Sequence, residues 1–160
     1  MADSTYPFVP KSTSRLLPGH FWALPLSNGT IGCGRVITLM PGENRKVNLR
    51  GFLAGLLDWN DSHLPNAQSI AGRSTLAQGH VHIKTVLETG GTILGHRPLE
   101  LDSIEPDLFL SHAPSQNCML QRGFEMLRLA TKEEQAKLPI FSTWGYMVIR
   151  NLAEKNFVRK

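Results

Sequence analysis

The stretch that decides the fold is HFWALPLSNGTIGCGRVITL, residues 20–39. His20 to Leu26 reads as a strand, opened by Pro18-Gly19 and closed by Ser27-Asn28-Gly29. Asn-Gly supplies the positive φ angles that a tight hairpin turn needs. The chain alternates again from Thr30. Ile31, Cys33, Arg35, Ile37 and Leu39 fall on one face, with Val36 opposite and Gly32 and Gly34 beside it. Two antiparallel strands are therefore the most secure element of the chain. Two glycines on one strand face predict a bend or the close approach of another backbone. A curl in a small barrel is preferred to a ligand site.

Working outward, Phe52 to Trp59 reads as a third, buried strand. Asn60 to Gly79 is long and polar, with a short helical turn expected around Ala67 to Ala71. Loops of that length are often functional. His80 to Leu87 reads as a fourth strand, with Val81, Ile83 and Thr85 on one face; Gly90-Gly91 turns it, and Thr92 to Leu94 continues the sheet. Met119 to Leu129 reads as one more strand with Gly123 as a bulge. Thr131-Lys-Glu-Glu134 is a capping box that opens a short helix. A second helix is expected over Ser142 to Phe157, where Trp144, Met147, Val148, Leu152 and Phe157 recur at near-helical spacing. The reading is one domain over 1–160: an irregular lead-in (1–17), a β-rich part (18–129) and C-terminal helices (130–157). The fold class is α+β, a curved, mainly antiparallel sheet or small open barrel with the helices packed on it.

Composition narrows the function. Hydrophobic residues make up 41% and charged residues 19%, which excludes a disordered chain. Lys and Arg outnumber Asp and Glu by 17 to 13, giving +4. The basic residues are scattered, however, and the densest group, Arg45, Lys46 and Arg50, reads as a solvated loop, so nucleic acid is not an expected partner. No apolar run approaches the ~20 residues of a membrane helix, and no membrane partner is expected. The opening residues lack an apolar signal core, so a cytoplasmic location is expected. Cys33 and Cys118 match no metal or redox spacing. Cys33 alternates in register with Ile31 and Ile37 and is expected to be a buried structural thiol.

No nucleophile elbow, phosphate loop or dinucleotide fingerprint is present, and no cofactor is expected. Of His20, His63, His80, His82, His96 and His112, only His80-Val-His82 is a close pair. On a strand both imidazoles would face one way and reach one metal ion, with Asp102 and either His96 or His112 completing the set. Lys84 continues the same face and argues against a metal. Between Pro98 and Pro114 acids alternate: Glu100, Asp102, Glu105 and Asp107. Glu100 and Asp102 would share a strand face, and the four form an acidic edge suited to a cationic partner. Trp22, Trp59 and Trp144 are expected to pack in the core.

The segment Leu17-Pro-Gly-His-Phe-Trp-Ala-Leu-Pro-Leu-Ser-Asn-Gly29, followed by Gly32-Cys-Gly-Arg-Val36, resembles the opening of the immunity protein 26 family. Lys84-Thr-Val86, Ile93-Leu-Gly95 and Pro98-Leu-Glu-Leu-Asp102 are in keeping with it. His20 stands where that pattern commonly has Asp. The resemblance implies a bacterial cytoplasmic protein that binds a cognate protein toxin and blocks it without catalysis. It carries no catalytic residues. Immunity proteins against nucleases are often acidic, whereas this chain is net basic, so the acidic segment would have to act locally. The same grouping includes phosphotriesterase-like proteins, and the alternative reading is a small metal-dependent hydrolase using His80 and His82. A ligand-binding accessory domain is the third.

Overall fold

The hairpin reads as expected. In the computed structural model, which describes residues 5–42 and 47–158, β1 (His20–Pro25) pairs antiparallel with β2 (Ile31–Pro41). Gly29 takes φ +84° in the turn, and Asn28 accepts hydrogen bonds from the Thr30 N–H and hydroxyl. The space left by Gly34 is filled by the indole of Trp22, its cross-strand partner: a Cβ at Gly34 would lie 2.5 Å from that ring. The close approach over Gly34 is thus by a side chain.

Four further elements complete the first sheet. They are β3 (Val47–Asp61), β4 (Thr75–His82), a one-turn helix α1 (Lys84–Glu88) and β5 (Ile93–His96). The strand order is β4-β3-β2-β1-β5, antiparallel throughout and curved without closing into a barrel. The expected strand over His80–Leu87 is half right. Gly51↔His82 is the last rung with β3; beyond it Ile83 bonds the Arg50 carbonyl and the chain coils, burying Val86. The polar loop is shorter than expected because β4 starts at Thr75; its turn lies at Ala67–Ala71, and Ile70 is its fully buried anchor.

Both faces of this sheet are covered. On one, Trp22, Leu24, Val36, Phe52 and Val81 pack with Ile149 and Ala153 of α3 (Val148–Phe157). On the other, Phe21, Cys33, Ile37, Leu53 and Leu57 pack with Ile70, Ile104 and Phe109. Cys33 is the expected buried thiol, and burial pushes it up to about 12 although Arg35 acts the other way. Each large apolar side chain sealed in this way contributes about 1.5–3 kcal/mol. Glu154 of α3 is buried, accepting bonds from the Ser27 N–H and hydroxyl, so the helix is tied to the first hairpin turn.

A second antiparallel sheet holds β6 (Leu108–Leu110), β7 (Met119–Arg122) and β8 (Glu125–Leu129), in that order. Sequence pattern merges the last two into one strand. Gly123, at φ +55°, is in fact the turn of a hairpin. The capping box is present at the start of α2 (Lys132–Lys137): Thr131 Oγ1 accepts from the Glu134 N–H, and Glu134 accepts from the Thr131 N–H. The last helix begins at Val148, not Ser142. Residues 139–144 form an extended strap bonded to both sheets. Pro139 and Phe141 bond Leu110 at the edge of β6, and Ser142 and Trp144 bond His80 at the edge of β4.

Candidate functional site

The acidic segment does not form one edge. Leu99–Asp102 is a turn of 3-10 helix, so Glu100 and Asp102 do not share a strand face. Glu100 is exposed, while the Asp102 side chain has no exposed surface at all. Asp102 accepts a two-pronged fork from Arg97 (2.8 and 3.0 Å) and the Gly72 N–H (2.7 Å), with Arg35 3.7 Å away. The Arg97 fork, then the Gly72 bond, hold its carboxyl below the usual range against the opposing effect of burial. Arg35 in turn donates to the carbonyls of Gly19 and Arg97. Asp102 therefore ties the polar loop at Gly72 to Arg97 and to Arg35 of β2, and is withdrawn from any partner. Glu105 and Asp107 stay at the surface around Arg122, which lies 3.7 Å from Glu105. Burial pushes the Asp107 carboxyl up, with Arg122 opposing.

The histidines separate into two groups. His20 is fully buried beneath Tyr6 and Phe8, with His96 edge-on at 5.5 Å. The Leu17 N–H donates to its Nδ1, so the ring is neutral with its proton on Nε2, donated to Tyr6 Oη. Burial, then His96 and Arg15, lower its pKa to about 4. His96 donates from Nε2 to the Pro18 carbonyl. His63 and His112 lie elsewhere, bonded to Ser62 and to the Ala113 carbonyl.

His80 and His82, as expected from strand alternation, line one pocket of about 390 Å³ at the end of β4. Its other walls are Trp144 and Tyr146 from the strap and the turn after it, Met40 from β2, and Arg50 and Gly51 from β3. His80 Nδ1 faces Thr143 Oγ1 at 3.2 Å, and its ring stacks on Phe141. The Lys84 N–H donates to His82 Nδ1 (3.0 Å), which puts the proton of the neutral ring on Nε2. Burial lowers both imidazoles, followed by His82 for His80, and by Lys84 and Arg50 for His82. Among the described residues no group of three His, Cys, Asp or Glu side chains is placed to hold a metal; Asp102, His96 and His112 do not join the pair.

Two glycines shape the pocket. A Cβ at Gly79 would lie 2.2 Å from the Trp144 ring, and one at Gly51 2.7 Å from His80 Nε2. Trp144 is buried, as expected, yet it packs on the β4 backbone and lines a cavity. Gly79 directly before the histidine pair was the available signal, since a strand glycine marks close approach.

One strand stands apart from these contacts. All five residues of β8 are exposed, including Met126 (54%), Leu127 (44%) and Leu129 (58%). Among the described residues no strand pairs with β8 except β7. Its first residue, Glu125, is the register partner of Arg122 on β7, whose guanidinium lies near Glu105 and Asp107. No helix among the described residues is long and apolar enough to cross a membrane. Set against protein-family models, curated proteins and solved structures, the chain matches none.

Proposed function

We propose that this chain is a non-catalytic binding protein that neutralises a cognate toxin by taking up an extended segment of it along β8. The carrying observation is β8 itself, an edge strand with every residue exposed and three large apolar side chains on it. An edge of that kind offers main-chain hydrogen bonds for affinity and alternate side-chain positions for specificity. The exposed Glu125 at the start of β8 favours a partner segment with apolar residues and a cation at one terminus. Of the acidic positions expected from sequence, Glu105 and Asp107 are exposed beside Arg122 on the β6 side of this sheet, Glu100 is exposed elsewhere, and Asp102 is not available. The toxin-directed role comes from the resemblance at residues 17–36 to the immunity protein 26 family.

Metal-dependent hydrolysis at His80 and His82 is the weaker reading, because the pair gathers no third ligand among the described residues. The test is co-expression with the product of the adjacent upstream gene in a host that this product kills. The intact chain is expected to restore growth, and a Met126→Lys/Leu129→Lys variant of unchanged thermal stability is expected to fail. Full rescue by that variant would remove β8 as the surface, and a harmless neighbour would remove the toxin-directed role.

A further inference from the structure

The pocket beside His80 and His82 has chemistry that the β8 reading leaves unused. Its walls are aromatic and apolar: Trp144, Tyr146 and Met40. Its rim carries cations. Lys84 Nζ lies 6.0 Å from the centre of the Tyr146 ring, and the His82 ring 5.8 Å from the same ring. A second cavity of about 430 Å³ adjoins it, sharing Arg50 and His82 and adding Lys11 and Lys84. No Asp or Glu appears among the described residues lining either cavity. An aromatic slot of this volume, opening onto Lys11 and Lys84, is built for an apolar body with a negative head.

We infer that this pocket binds a small aromatic carboxylate, with its ring between Trp144 and Tyr146 and its carboxylate at the His82–Lys84 rim. The Nε2–H of His82 is the directed donor, because its Nδ1 is already engaged by the Lys84 N–H. Lys84 supplies the neighbouring charge. A charged acceptor strengthens such a bond over a neutral one. Gly51 and Gly79 keep the slot open, since a side chain at either would meet His80 or Trp144.

The proposal is tested on the full chain by calorimetric titration with indole-3-acetate, using indole as the uncharged counterpart and phenyl phosphate as the competing head group. Indole-3-acetate is expected to bind at least about tenfold more tightly than indole, and the difference to shrink as salt screens the rim. His82→Gln/Lys84→Gln is expected to weaken the carboxylate about tenfold and leave indole unchanged. Tyr146 is 42% exposed, so Tyr146→Ala tests the slot without a core defect, and it should weaken both ligands. The imidazole resonances of His82 give a readout that needs no variant: a bound carboxylate raises their titration midpoint against the lowering effect of burial, Lys84 and Arg50. Equal affinity for indole and indole-3-acetate would overturn the carboxylate assignment. Tighter binding of phenyl phosphate would replace it with a phosphate site, and no binding at millimolar concentration by folded protein would remove the site altogether. None of these outcomes touches the β8 surface.

Discussion

The two edges of the five-stranded sheet are covered by similar means and end in opposite states. At β5, Phe8 of the lead-in adds one antiparallel bridge to Ile93; at β4, Thr143 of the strap adds one parallel bridge to His80. Each end of the sheet has two histidines, His96 on β5 with His20 on the adjoining β1, and His80 with His82 on β4. At the β5 edge Tyr6 and Phe8 lie over His20, and beside it Arg35, Arg97 and Asp102 form a buried charge cluster. At the β4 edge the strap arrives with Trp144 and Tyr146 spaced so that a cavity remains between them and the imidazoles. The difference lies in what the covering segment brings. Histidines near a sheet edge become framework when the cover fills the space above them, and line a cavity when it does not.

Breaking the sealed end should have the largest effect. Asp102→Ala leaves Arg35 with its buried charge uncompensated and is expected to cost about 3–5 kcal/mol by denaturant unfolding. Glu105→Ala, removing an exposed partner of Arg122, should change stability by less than about 1 kcal/mol. A loss at Asp102 no larger than at Glu105 would show that the Arg35–Asp102–Arg97 cluster is not what holds the sealed end.

The pH dependence comes next. The folded-state pKa of His20 lies near 4, below its ordinary 6.5, so the unfolded chain binds the proton first as pH falls. The stabilising contribution is complete above about pH 6.5 and is lost between there and pH 4, at up to about 1.4 kcal/mol per pH unit. Urea midpoints measured across that window should show the slope. His20→Gln should flatten it, whereas His82→Gln should leave most of it in place.

Gly79→Ala tests the open end. The added methyl meets the Trp144 ring, and overpacking of this kind costs about 1–3 kcal/mol. The expected signature is a red-shifted tryptophan emission as Trp144 leaves the β4 edge, together with loss of indole-3-acetate binding. An unchanged spectrum would show that the strap does not depend on that glycine. The smallest stability effect is expected on β8, where Met126→Lys/Leu129→Lys should move the unfolding free energy by no more than about 0.5 kcal/mol per site. Only the rescue assay should register it strongly.

Much of the α+β framework was legible because alternation and turn chemistry act locally. The hairpin over residues 20–39, the buried run Phe52–Trp59 and the Thr131–Glu134 box all carry their signal within a few residues. The errors come from positions decided at long range. Pattern alone makes His80–Leu87 one strand, but β3 offers no partner beyond Gly51, so the chain coils after His82. Residues 142–147 continue the helical spacing, yet Ser142 and Trp144 are claimed by His80 on β4, and the helix starts only at Val148. Asp102 looks like its acidic neighbours in sequence, and only the arrival of Arg35 from β2 and Arg97 from beyond β5 separates it from them. The His80–His82 pair was visible, while its aromatic walls come from a segment about sixty residues away, beyond the reach of local pattern.

The strap over residues 139–144 also orders events during synthesis. It is the element that closes the outer edges of β4 and β6, and it leaves the ribosome after every strand of both sheets. Until Trp144 has emerged, both edges are as bare as β8 remains in the finished protein. Among the described residues, a nascent chain halted before that point therefore presents three unpaired strand edges in place of one, which makes the interval between the emergence of β6 and that of Trp144 the one in which it is most prone to aggregate or to need a chaperone.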